Sequence, residues 1–130
     1  MPVFESHPAT AEPPADVLVL VAHPHLEQSR ANAALLAAAR AAAAQPGASI
    51  EVRDLYALYP DYLIDVAAEQ QHLAAARLVV WQQPVQWYGM PPLLKLWVDE
   101  VLVFGWAYGP GGSALQGKDL WLVASTGGAQ

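Results

Sequence analysis

Four apolar runs, separated by polar or alanine-rich stretches, determine the predicted architecture of this chain. The first run, DVLVLVA at residues 16–22, is rich in valine and uninterrupted, which is typical of a strand covered on both faces. Shorter runs predict further strands over residues 49–53, 77–83 and 119–125. Helices are predicted between the strands over residues 28–44, 66–75 and 91–103. This alternation of strand and helix predicts an α/β fold with a parallel sheet and right-handed crossovers.

Local signals place the ends of these elements. Ser29 lies near the start of the first helix, and proline opens the last one, where a missing N–H is tolerated. Pro84 is expected to close the third strand, and residues 54–65 are expected to form a loop. The face of the first helix that packs on the sheet is predicted to consist of Ala31, Leu35, Ala38, Ala39 and Ala42.

Composition narrows the possible functions. A chain of 130 residues, 55% hydrophobic and 14% charged, predicts one ordered domain with a core of its own. Its net charge is −6 and it has no basic patch, which argues against nucleic-acid binding. The absence of cysteine excludes disulfides and thiolate metal sites. A bound anion would therefore be held by neutral donors and helix ends.

Composition also indicates the character of the N-terminal residues and bears on membrane insertion. Residues 1–15 are rich in proline and alanine and lack the basic start and long apolar run of a signal peptide, so we predict a flexible tail before a domain over residues 16–130. No stretch approaches the ~18 uncharged apolar residues of a membrane span. A cytoplasmic location is the resulting expectation.

The first candidate site is the HPHLEQSRAN segment after strand one. Free backbone N–H groups at the following helix start can hold a phosphate, with His23, Ser29 and Asn32 as neutral donors. The alternative is that Ser29 only caps the helix. A metal pair of His23 and His25 is disfavoured because no third ligand lies nearby, and His72 is predicted to be solvated.

Two more candidate loops follow strands three and four. Val85, Gln86, Trp87 and Tyr88 combine backbone amides with flat rings, as a planar ligand requires, although such aromatics also serve in cores and dimer interfaces. The other loop has two hydroxyls and two glycines that allow a close backbone approach, although it is equally compatible with a plain turn. Its residues are Ser125, Thr126, Gly127 and Gly128.

Several blocks together resemble a known family. The segments LVAHPHLEQSRAN, RDLYALYPDYLIDVAAEQ, QWYGMPPLLKLWVDEV, GWAYGPGGSALQGK and STGG are similar to those of the flavodoxin-like NAD(P)H:quinone oxidoreductases. Within that family they are most similar to the bacterial branch that accompanies glutathione-regulated potassium-efflux systems. The QWYGMPPLLKLWVDEV block is the most specific of them.

This resemblance implies a fold, a cofactor and partners. The fold would be a flavodoxin-like three-layer sandwich of sheet order 2-1-3-4-5 that binds FMN, or FAD as in some relatives. NAD(P)H would supply a hydride and a quinone would accept electrons, commonly in a homodimer whose interface could include residues 91–103. The resemblance implies that residues 85–88 and 125–128 would hold the flavin ring. It also implies that the phosphate side of the cofactor would be held by His23, Ser29, Arg30, Ala31 and Asn32. No catalytic residue and no metal ligand are assigned.

The chain departs from the family pattern at its C-terminal end. It stops at Gln130, where relatives continue with a helix, a fifth strand and a closing helix, so we expect the order 2-1-3-4 and an incomplete domain. Strand four would then be an exposed apolar edge. Two other classes stay open: a non-catalytic flavin-binding or regulatory subunit of a membrane transporter, located peripherally at the inner membrane face, and a phosphate-ester hydrolase, which the lack of cysteine disfavours.

Overall fold

A computed structural model describes residues 14–26, 29–85 and 89–126 of the chain. The predicted tail before Pro14 lies outside the described residues. Eight elements follow in chain order. They are β1 (Val17–Val21), α1 (Arg30–Ala43), β2 (Ile50–Asp54), α2 (Leu55–Leu58), α3 (Val66–Ala75), β3 (Leu78–Val85), α4 (Pro92–Val101) and β4 (Asp119–Thr126).

The strands form one parallel sheet of order β2-β1-β3-β4, which confirms the predicted fold class and order. Strand β1 is central because both of its neighbours pair along its whole length, for example Val19 with Val52 and with Val80. The order reverses direction between β1 and β3. In open α/β sheets ligands bind at the carboxyl ends of the strands beside such a point.

Two apolar cores cover the sheet, one on each face, as the uninterrupted β1 sequence predicts. Leu18 and Leu20 point to the larger core beneath α2, α3 and α4, where Trp97 is the largest fully buried side chain. Val19 and Val21 point to the smaller core beneath α1. Among the described residues, no helix combines the length and the hydropathy needed to cross a membrane.

The predicted packing face of α1 was wrong by one position. Of the predicted face only Ala39 packs on the sheet, and Leu35 is exposed. The other side chains that face the sheet are Asn32, Leu36 and Ala43. A helix composed mostly of alanine has little hydrophobic contrast between its faces, so the pattern alone does not fix its rotation. Inward placement of Asn32 is the consequence that matters for the site.

Two loop assignments also differ from the structure. Residues 54–65 contain the short helix α2, which Asp54 caps by accepting from the Ala57 N–H at 3.3 Å. Strand β3 continues through Pro84 to Val85 because β4 still pairs with it there. The Gln82 carbonyl accepts a hydrogen bond from the Ala22 N–H and therefore points toward β1. Backbone groups two residues apart in a strand point the same way, so the backbone nitrogen of Pro84 also points toward β1. The missing N–H of Pro84 therefore removes no hydrogen bond to β4.

Within the part of the chain that the structure describes, β4 is an outer strand of the sheet, as predicted. Leu120, Trp121 and Leu122 are each about three-fifths exposed. Helix α4, which lies in the segment offered as a dimer interface, uses most of its apolar side chains in the larger core and presents Lys95 and Asp99 outward. A dimer through α4 stays a prediction.

Candidate functional site

The amino end of α1 is the first component of the site. Ser29 has extended backbone (φ −118°, ψ 106°), and its Oγ accepts the Asn32 N–H at 3.2 Å, so the predicted helix cap is confirmed. The N–H groups of Arg30 and Ala31 belong to the first turn, where no intrahelical acceptor exists. Together with the helix dipole they make this end electropositive, as a phosphate requires.

The buried side chain of Asn32 connects this helix start to the end of β4. Its Nδ2 donates to Ser29 Oγ at 3.0 Å and to Ser125 Oγ at 2.8 Å. Asn32 is 3% exposed, so this contact lies inside the protein rather than on its surface. Two of the three predicted loops are thereby brought together. Whether these residues contact a ligand stays a prediction.

Strand β3 supplies a residue that the sequence interpretation missed. Gln82 is buried, and its Nε2 donates to the Asn32 carbonyl at 3.3 Å, which joins the end of β3 to the first turn of α1. The available signal was a pair of glutamines inside an apolar strand, since buried polar side chains need partners. The backbone of Val85 ends this strand. Gln86, Trp87 and Tyr88 lie outside the described residues.

The end of β4 completes the described part of the site. Ser125 and Thr126 are the last residues of that strand and pair with Pro84 and Val85 of β3. Their backbone therefore lies beside the start of the second predicted loop, which begins at Val85. Gly127 and Gly128 lie outside the described residues.

A cleft of about 500 Å³ lies on the other side of α1, where β1 and β2 end. Burial raises the pKa of Asp54 at its wall, although backbone hydrogen bonds oppose that rise. Burial and a hydrogen bond with Tyr62 raise the pKa of Tyr56 to about 12, so its hydroxyl is neutral at physiological pH. His23 Nδ1 accepts from the His25 N–H at 3.0 Å, which is a local loop contact. The cleft is lined by His23, Pro24, Leu26, Ala33, Asp54, Tyr56 and Ala57.

A second polar cluster is buried on the α2–α4 face, away from the loops described above. Arg53 binds Glu69 through Nε at 3.2 Å and Glu51 through Nη1 at 3.1 Å. The predicted solvation of His72 was wrong: it is 4% exposed, and its Nδ1 lies 2.7 Å from Glu51 Oε1. Tyr59 and Trp97 complete the cluster by donating to Glu69. Since all these groups have partners, the cluster is structural.

Comparison with known proteins gives a consistent fold. The family model described as "flavodoxin-like fold" matches residues 15–130. A relative from Citrobacter koseri, named glutathione-regulated potassium-efflux system ancillary protein KefF, is 54% identical over 88% of this chain. The chain spans 62% of that relative's length.

Three solved structures share the fold at different identities. General stress protein 14 of Treponema denticola, solved in complex with FMN, is 42% identical with a TM-score of 0.80. The match covers 88% of this chain and 63% of the stress protein's chain. A thermophilic tryptophan halogenase from Streptomycin violaceusniger is 46% identical with a TM-score of 0.77, and the match covers 86% of this chain and 62% of the halogenase chain. An NADPH-quinone reductase from P. pentosaceus is 30% identical with a TM-score of 0.67, over 88% and 61%.

Proposed function

The chain belongs to the flavodoxin-like fold family, and from this premise we propose that it binds FMN and transfers electrons from NAD(P)H to a quinone. The activities for which the structural neighbours are named differ, so the fold alone does not select one of them. The choice is supported by the FMN complex of one neighbour, the quinone reductase name of another, and the specific QWYGMPPLLKLWVDEV block.

One observation carries the proposal: the Asn32–Ser125 hydrogen bond at 2.8 Å, which holds a helix amino end beside the end of β4. FMN needs an anion site for its phosphate and polar groups along its ring edge. Besides Arg30, whose side chain is exposed, the donors here are neutral hydroxyls and backbone N–H groups, in a chain of net charge −6. This donor set fits a phosphorylated flavin because a helix amino end binds anions without a basic side chain.

The residues of this chain would bind and orient the cofactor. Ser29 and the first-turn N–H groups of α1 would hold the phosphate, and Ser125 would face the ring edge. A bound FMN would supply the chemistry of hydride and electron transfer, which requires little acid–base catalysis by the protein. Hydroxyl and amide donors near the ring would favour negative charge on it. No general base is proposed.

We extend the proposal to partners and location. The KefF relative is named an ancillary protein of a potassium-efflux system, and we propose the same association for this chain, as a cytoplasmic protein located peripherally at the inner membrane face. A homodimer belongs to this proposal. A regulatory subunit that binds flavin without turnover is the second candidate, and the word "ancillary" in the relative's name favours it.

Turnover by the FMN-loaded chain separates the two candidates. We expect NADPH to be oxidised when a soluble quinone such as a benzoquinone is added, and FMN-free protein to be inactive. The measurement is the loss of NADPH absorbance, with free FMN at the same concentration as the control. Bound FMN without NADPH oxidation would contradict the enzymatic proposal and leave the regulatory one.

A further inference from the structure

We propose that Asn32 is a positioning residue that directs the hydroxyl protons of Ser29 and Ser125 toward the bound flavin, so that the phosphate end and the ring end are held as one unit. This inference rests on the proposed FMN site. It assigns to Asn32 an indirect role, acting through two hydroxyls, rather than the direct contact that its place at a helix start suggests.

Both Nδ2 hydrogens of Asn32 are used inside the protein. Its Nδ2 has two hydrogens, and the two acceptors are Ser29 Oγ at 3.0 Å and Ser125 Oγ at 2.8 Å. With 3% of its surface exposed, Asn32 has no free Nδ2 hydrogen to offer a ligand.

The consequence falls on the two serines. A hydroxyl has one donor and two acceptor positions. Ser29 Oγ accepts from both the backbone N and the Nδ2 of Asn32, so its remaining capacity is to donate. Ser125 Oγ accepts from the same amide, so its proton points away from Asn32. Both hydroxyls are thereby set as donors, and the acceptor-only oxygens of a phosphate and the acceptors of a flavin edge complement them.

The backbone at Asn32 is also held in place. Gln82 Nε2 donates to the backbone carbonyl of Asn32 at 3.3 Å, so β3 anchors the first turn of α1. Ser125 lies in β4 and pairs with Pro84 of β3. The two hydroxyls are therefore fixed relative to the sheet, and their relative position depends on Asn32. A preorganised donor pair binds a ligand without first having to be ordered.

The test is a double-mutant cycle on flavin affinity. Dissociation constants for FMN and riboflavin are measured by quenching of flavin fluorescence in Asn32→Asp, Ser125→Ala and the double variant. A carboxylate at position 32 accepts from both hydroxyls and turns their protons inward. We expect Ser125→Ala to weaken FMN binding about tenfold in the wild-type background, as for a hydrogen bond to a polar acceptor, and less than about twofold in the Asn32→Asp background.

A merely structural role for Asn32 would give a different result. Because Ser29 faces the phosphate, Asn32→Asp is expected to weaken FMN binding more than riboflavin binding, and its added negative charge contributes to that difference. The uncharged Asn32→Ala variant therefore discriminates, since a general loosening of the fold would weaken the binding of both flavins equally in it. Asn32→Ala is expected to show the same preference at smaller size, and it replaces Asn32→Asp in the cycle if that variant does not fold. Gln70→Ala removes an amide that donates to the Val101 carbonyl at 3.0 Å, and is the matched control expected to change neither constant.

Two failures are distinguishable. If the wild-type chain is folded and binds no FMN, the proposed function is contradicted, and this inference with it. If the wild-type chain binds FMN but Ser125→Ala has the same effect in both backgrounds, the inference alone is overturned.

Discussion

Replacing Arg53 with alanine is expected to lower the free energy of unfolding by about 3–5 kcal/mol, because it leaves two buried carboxylates without their cation. Arg53 is 1% exposed and lies between Glu51 and Glu69, which are equally buried. Burial disfavours its charge, but the hydrogen bonds and charges of Glu69 and Glu51 outweigh that effect and raise the pKa of Arg53. A loss of this size is a large fraction of the stability of a typical domain.

Urea denaturation followed by far-UV circular dichroism measures this effect. Lys95→Ala is the matched control: Lys95 pairs with Asp99 at 2.7 Å, but the two side chains are 61% and 55% exposed. Exposed pairs contribute about 0–1 kcal/mol, so the control should unfold close to wild type. Arg53→Lys keeps the charge without the planar geometry and is expected to fall between the two. An Arg53→Ala midpoint equal to that of Lys95→Ala would contradict the account of the cluster.

Replacing Ser29 with aspartate is expected to weaken FMN binding by about 100-fold or more while leaving riboflavin binding nearly unchanged. Aspartate caps helices as well as serine does, so the stability of α1 is retained. The new carboxylate would lie beside the phosphate, and two unit charges about 5 Å apart repel by about 3 kcal/mol at an effective dielectric constant of about 20. Riboflavin has no phosphate and does not experience this repulsion.

Fluorescence titration with both flavins measures this difference. Ser29→Asn is the matched control, because asparagine also caps helices but adds no charge. We expect it to bind FMN within a few-fold of wild type. Equal weakening of FMN and riboflavin by Ser29→Asp, or no weakening of either, would show that Ser29 only caps the helix and that the phosphate lies elsewhere.

The sequence predicted the framework of the fold because its signals are local. Continuous apolar runs predicted the four strands, Ser29 marked the start of α1, and the resemblance to a known family predicted the strand order. What the sequence did not predict depends on contacts between distant residues. The rotation of α1 is one example: its alanines do not distinguish the faces, and the inward position of Asn32 follows from contacts with Ser125 and Gln82.

The buried charges illustrate the same limit. In the strand sequence IEVRD, Glu51 and Arg53 lie on one face and Val52 on the other, a pattern equally typical of a half-solvated strand. Only the helix above that face, with Glu69 and His72, shows that the charges are enclosed. Gln82 was missed for a related reason, since a glutamine in an apolar strand has meaning only when its partner is known.

A direct titration of the wild-type chain with FMN tests the central claim, that the ends of β1, β3 and β4 together form a flavin site. The account predicts saturable binding of one FMN per chain, with quenched flavin fluorescence and a yellow protein after gel filtration. Protein that is folded by circular dichroism yet remains colourless after incubation with excess FMN would contradict it.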